Sequence, residues 1–339
     1  MVMPSQETER PEEVNFDSML ESNFRARNLR RLELSGVTDE TEVALASNSS
    51  LIDQGNELLE YVDQSLLDGV AQQFVESSLA STGDRVIIRG TKYTYPLVRT
   101  IALQLLQHGV EFKVDIEDEA LENGLISKST DEGLDALADE KLQLYEGINT
   151  QLMVGNLPDQ SLPKDKKRMQ DYSKKIKAIR ERCVTGENRY VLMLVPTEAD
   201  AAQDQTDYRE YLRIFFEACD QPWAEIEAAQ ARLIDRLNAA DRVVIINGDG
   251  TNLTMSINGM TFANSVVLKN IPGSEVFSAP VRESVNGAVV AKGRFQYDTS
   301  GIIEDITLEF ENGRIVDYSA GAGEDDLSRI IGGDDEDGE

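Results

Sequence analysis

The sequence predicts an α/β protein of two domains. The first is a doubly wound, mostly parallel sheet, and the second an α+β domain rich in antiparallel strands. Three observations carry that reading. At 339 residues the chain is long enough for two ordinary hydrophobic cores. Between residues 85 and 195, short β-branched runs alternate with helical stretches, the spacing of parallel strands joined by crossover helices. From Asp241 onward the period changes, and Asn-Gly pairs recur between apolar runs, the strongest short-range hairpin signal.

Residues 1–35 read as a polar extension leading into a short charged helix, with Arg25, Arg27, Arg30 and Arg31 as a solvated face beside Glu33. Leu58, Leu59, Val62, Leu66, Leu67, Val70 and Phe74 recur at helical spacing, so residues 52–80 are expected to form an amphipathic helix or helical pair. Thr82-Gly83-Asp84 punctuates, and Arg85–Arg89 reads as a strand. A helix follows from Tyr95 to Gln107, closed by His108-Gly109, and Val110–Ile116 is the next strand. The pattern repeats with a strand at Ile148–Val154, a charged helix at Asp165–Arg182 and a strand at Arg189–Val195. The loop after the first strand is Arg89-Gly90-Thr91-Lys92, which lacks the Gly-x-Gly-x-x-Gly of a dinucleotide site.

Residues 221–240 are expected to form a linking helix. Val243–Ile246 and Leu253–Ile257 flank the turn Asn247-Gly248-Asp249-Gly250, and further Asn-Gly pairs stand at 258–259, 286–287 and 312–313. A short helix, Asp325–Ile331, precedes an acidic, glycine-rich tail. The expected division is therefore 1–35 extension, 36–222 α/β domain, 223–331 partial α+β domain and 332–339 acidic tail.

Composition narrows the partners. The formal net charge of −29 repels nucleic acid and anionic membranes, so neither is expected. Cys183 and Cys219 lie far apart, without a CxxC, as in a reducing compartment. The first 13 residues carry no apolar signal region, and no run approaches the ~20 apolar residues of a membrane span. A soluble, cytoplasmic protein is the expectation. Without a secretion signal, the sequons at Asn48 and Asn252 carry no meaning.

The richest stretch is Asn270-Ile-Pro-Gly-Ser-Glu-Val-Phe-Ser-Ala-Pro280, where a Pro-Gly turn delivers Glu275 into a short apolar strand. From residue types alone, such an acid is more often a surface turn residue than a ligand. This stretch resembles the metal-binding segment of the thermophilic metallo-aminopeptidases (aminopeptidase T and aminopeptidase S type). That pattern runs roughly Asn-x-Pro-x-Gly-Glu-Val-Phe-x-Ala-Pro; Ser274 stands where the family usually has Gly. The resemblance extends to Val195-Pro196-Thr197-Glu198-Ala199, the helix Tyr208–Cys219, Gly250-Thr251-Asn252-Leu253 and Glu311-Asn312-Gly313-Arg314. It covers roughly residues 50–335.

The resemblance implies a metal-dependent aminopeptidase that removes N-terminal residues from peptides, works with two divalent ions (Zn, Co, Mg or Mn) and assembles as a homodimer. By the same resemblance Glu275 is a metal ligand. The family's remaining ligands come from a Gly-Glu, a His-bearing strand and a His-x-Asp segment. The chain ends at Glu339 before any of these, so a C-terminally truncated enzyme with an incomplete second domain is expected. The alternative is a catalytically inactive homologue serving as a binding or dimerisation module. The single histidine, His108, reads as a helix cap, and Glu283 and Glu304 are further oxygen donors open to Mg²⁺ or Mn²⁺. Asp249 reads as turn chemistry, and Lys164-Asp165-Lys166-Lys167 as a solvated helix start. No Gly-x-Ser-x-Gly elbow occurs.

Overall fold

The computed structural model describes residues 11–51, 58, 60–157, 159, 161–267, 269–295 and 301–332. The expected N-terminal extension through residue 10 and the acidic tail from residue 333 lie outside the described residues. The chain divides into two compact units, Met1–Trp223 with Ser265–Gly273, and Ala224–Asn264 with Ser274–Glu339.

The first unit opens with α1 (Pro11–Ser35), α2 (Glu40–Asn48) and α3 (Gln64–Ser78). Then come β1 (Arg85–Thr91), α4 (Tyr95–Gln107), β2 (Glu111–Glu117), α5 (Glu119–Lys128), α6 (Asp131–Leu144) and β3 (Thr150–Gly155). α7 (Lys166–Lys175), α8 (Lys177–Val184), β4 (Arg189–Leu194), α9 (Glu198–Gln203) and α10 (Tyr208–Cys219) complete it. The four strands pair in parallel in the order β2-β1-β3-β4, the doubly wound arrangement the spacing predicts. Both faces of β1 are covered, as in other parallel sheets: Val86 and Ile88 belong to the main core with Phe74, Leu97 and Ile101, while Ile87 packs with Tyr145 and Ile148.

Two local expectations change. The charged helix expected over 165–182 breaks at Ile176, whose backbone (φ −98°, ψ 8°) caps α7 and starts α8. The arginine face of α1 is not uniformly solvated, because Arg31 is buried and Arg27 half-buried, both in ion pairs.

The second unit holds α11 (Trp223–Asn238), which starts one residue inside the first unit, and β5 (Arg242–Ile246) and β6 (Asn252–Ser256). β9 (Asn286–Phe295), β10 (Ile303–Glu311), β11 (Arg314–Ser319) and α12 (Glu324–Gly332) follow. A separate two-stranded ribbon pairs β7 (Ala263–Ser265) with β8 (Glu275–Phe277). The main sheet is antiparallel in the order β11-β10-β9-β6-β5.

Two expected hairpins form. Asn247 Oδ1 accepts the N–H groups of Asp249 and Thr251, both at 3.0 Å, and so folds the β5–β6 turn. Asn312 and Gly313 stand at φ +50° and +78°, the pair of positive values that a tight β10–β11 turn needs. The other two Asn-Gly pairs are not hairpin turns. Asn258-Gly259 turns the chain, but β6 pairs with β9. Asn286 and Gly287 lie inside β9, where a Cβ on Gly287 would sit 2.1 Å from the Asn252 carbonyl oxygen; glycine is there for close backbone approach. No helix among the described residues is long and apolar enough to cross a membrane.

Candidate functional site

The segment that leads to Glu275 is tied down before it reaches that residue. Val266, Val267 and Ile271 are buried in the main core of the first unit. The Leu192 N–H donates to the Lys269 carbonyl at 2.7 Å, and the Ile271 N–H donates to the Leu192 carbonyl at 2.9 Å, extending the edge of β4. The Ile271–Pro272 peptide is cis. Ser274 then stands at φ +92°, in the left-handed region that favours glycine. That is the position where the resembled pattern has Gly, so the substitution has left the backbone path in a glycine conformation. Glu275 opens β8 with an exposed side chain, and no hydrogen bond or ion pair engages its carboxylate among the described residues.

The other candidates do not join it. His108 caps α4 in the first unit, its Nδ1 lying 2.7 Å from the Gln104 carbonyl oxygen, as a helix cap should. Glu283 is exposed in the short 3-10 turn Arg282–Ser284, and Glu304 pairs with Arg294 at 3.1 Å. Asp249 is exposed in its Asn247-held turn, and Asp165 caps α7 by accepting the Arg168 N–H at 3.0 Å. Cys183 and Cys219 are buried thiols; burial pushes both up, Cys219 to about 12, so neither is a ready thiolate. Among the described residues no group of three or more His, Cys, Asp or Glu side chains could hold a metal ion. A catalytic zinc takes about three protein ligands and a paired site more, so the donors among the described residues do not by themselves fit a two-metal centre.

What sequence reasoning missed lies in the first unit. Asp115 of β2 is fully buried. It accepts from Lys141 Nζ at 2.6 Å, from the Tyr145 hydroxyl at 2.9 Å and from Arg27. Burial alone would raise its carboxyl, but Lys141, Arg27 and Arg89 outweigh that and hold it far below the usual carboxylate range. Glu140 takes a two-pronged contact from Arg27, at 2.9 and 3.3 Å, and a further bond from Arg31 at 2.6 Å. A second polar feature sits at the carboxyl ends of β1 and β2, where open α/β sheets place ligands. There Lys92 meets the buried Asp118 at 2.6 Å, Ser49 donates to the same carboxylate at 2.8 Å, and a 640 Å³ cleft opens beside α2. The sequence gives little hint of the buried Asp115, because β2 alternates charged and apolar residues throughout (Glu111, Lys113, Asp115 and Glu117 against Phe112, Val114 and Ile116), the pattern of an ordinary half-buried strand.

Known proteins share both sequence and fold with this chain. Aminopeptidase AmpS of Bacillus subtilis (strain 168) is 31% identical over 121 residues, covering 33% of this chain and 29% of that protein. Aminopeptidase 2 of Geobacillus stearothermophilus is 30% identical over 171 residues, covering 44% of this chain and 41% of that protein. The match thus spans less than half the length of either relative. The structure of wild-type AmpT from Thermus thermophilus superposes with a TM-score of 0.62 at 24% identity, covering 79% of this chain and 75% of that one, which shows a shared fold. The sequence model of the thermophilic metalloprotease (M29) family matches residues 63–337, which takes in both units and Glu275; the chain belongs to that family.

Proposed function

We propose that the chain acts in metal-dependent aminopeptidase chemistry on peptide N-termini, with Glu275 as a metal ligand. The observation that carries the reading is the family match over residues 63–337, which includes the Glu275 segment. The carboxylate at the start of β8, exposed and without an ion pair among the described residues, is in keeping with it, since a ligand must be free to meet a cation. The metals in view are Zn, Co, Mg or Mn, the compartment cytoplasmic and the assembly a homodimer.

A second reading is favoured by the donor set. With no three-ligand cluster among the described residues, the chain would be a non-enzymatic homologue that binds or dimerises. One experiment separates them. Metal content after dialysis against Zn²⁺ or Co²⁺ is measured beside hydrolysis of aminoacyl p-nitroanilides, for the wild type and Glu275→Gln. Stoichiometric metal with turnover, both reduced at least about tenfold by the substitution, supports the enzyme. Absence of both metal and turnover supports the second reading.

A further inference from the structure

The helix α1 lies outside the stretch that the family model matches, yet it is built deep into the first unit. Along one face it carries Phe16, Leu20, Phe24, Arg27 and Arg31, at spacings of three and four residues. The three apolar side chains are 8, 5 and 6% exposed and belong to the main core. Phe16 meets Phe112 edge to face with ring centroids 6.5 Å apart, while Arg27 reaches Asp115. Phe112 and Asp115 point to opposite faces of β2. A helix that touches both runs along the outer edge of that strand, which is the end strand of the sheet. A 380 Å³ cleft remains between the two, lined by Met19, Leu20, Asn23, Val114 and Leu144 among others.

The charges complete the pattern. Within the family-matched stretch, Lys141 pairs with Asp115 and Glu117, and Arg89 with Glu117, while Glu122 and Glu140 take their ion pairs from α1. Arg27 and Arg31 of α1 bring the balance level: Arg27 pairs with Asp115 and Glu140, Arg31 with Glu140 and with Glu122 at 2.7 Å. Buried carboxylates without those guanidinium groups would be strongly disfavoured.

We infer that the β2 side of the first unit is a helix-docking groove with an anionic end. Its ligand is an amphipathic helix bearing Arg-x-x-x-Arg, and in this chain α1 fills it in cis. The arrangement is helix-in-groove recognition, with apolar anchors one turn apart and an arginine pair fixing the register. It stands apart from the aminopeptidase reading, since none of its residues serves Glu275.

The test uses the full chain with a protease site placed in the connection between α1 and α2, residues 36–39. After cutting, the α1 fragment is expected to co-elute with the remainder and to exchange with a fluorescein-labelled peptide of residues 11–35. Arg27→Met with Arg31→Met should speed that exchange by about a hundredfold or more, because buried acids lose their partners. Arg27→Lys, which keeps charge but loses the fork onto Glu140, should fall between. Collapse of the near-ultraviolet circular dichroism on cutting, without rescue by the peptide, would overturn the inference and make α1 an inseparable core element. Exchange of the double variant at the wild-type rate would remove the arginines from recognition. An uncut dimer in which each groove holds the other copy's α1 would overturn the assignment in cis.

Discussion

Lys141 reaches Asp115 at 2.6 Å inside the first unit, and neither side chain meets solvent to any extent. This pair is expensive to break, because removing one member leaves the other charged and desolvated. Asp115→Asn is expected to cost the folded state about 3–5 kcal/mol at neutral pH. The pH dependence follows from the direction of the shift. The folded Asp115 carboxyl is held well below its unfolded value near ~3.9, so its contribution is complete above that value and is lost as pH falls towards the folded one. Wild-type stability should therefore decline as acid is added below about pH 5, and the decline should be shallower in Asp115→Asn. Urea melts at a series of pH values would show it. Equal acid slopes for the two proteins would sink the assignment.

Ser274 holds φ at +92° immediately before Glu275. A side chain there strains the backbone by roughly 1–3 kcal/mol, and glycine removes that strain at a cost of about 0.4–1 kcal/mol in unfolded-chain entropy. Ser274→Gly is expected to stabilise by about 1 kcal/mol, while Ser274→Ala, which keeps the Cβ, should gain nothing. Thermal melts of the three proteins decide it; an alanine variant as stable as the glycine variant would point away from backbone strain.

The Pro196-Thr197 pair that follows β4 has a capping role. Thr197 accepts the Asp200 N–H at 3.4 Å, and Asp200 Oδ2 accepts the Thr197 N–H at 2.7 Å, a reciprocal box at the start of α9. Thr197→Ala should cost about 0.5–2 kcal/mol, and Thr197→Ser should restore most of it. Chemical denaturation measures both. A serine variant as unstable as the alanine variant would mean that the Thr197 methyl group, not its hydroxyl, was what mattered.

Much of the first unit is legible in the amino-acid sequence. The run from β1 through α4 to β2 announces itself because Val86, Ile87 and Ile88 form an unbroken apolar strand and Leu97, Ile101 and Leu105 keep helical spacing. Glu275 is legible as a motif, since Pro272, Gly273 and Pro280 frame it whatever surrounds it. Other features were hidden for physical reasons. Nothing near Arg27 shows that it turns inward, because its partners Asp115 and Glu140 lie 88 and 113 residues away. Asn286-Gly287 carries the same two residues as Asn312-Gly313, but pairing with Leu253 and Thr254 recruits it into a strand. A dipeptide states what the backbone can do, and tertiary contacts choose.

The chain carries a formal net charge of −29. Self-repulsion of that size opposes the compact state. Many of the compensating ion pairs are exposed, such as Arg213 with Glu210 and Glu217, both at 2.6 Å, and such pairs contribute only about 0–1 kcal/mol each. The pairs that matter, around Asp115, are buried and little screened. Added KCl should then remove more repulsion than attraction, as the screening length shrinks from about 10 Å at ~0.1 M to about 3 Å at ~1 M. The melting temperature is expected to rise across that range, by roughly 2–4 °C for each kcal/mol gained in a unit of this size. Using KCl rather than a sulfate keeps screening apart from solute exclusion. A melting temperature that falls with KCl would mean that surface pairs, not repulsion, set the balance. The buried network around Asp115 would then be a smaller share of what holds the first unit together.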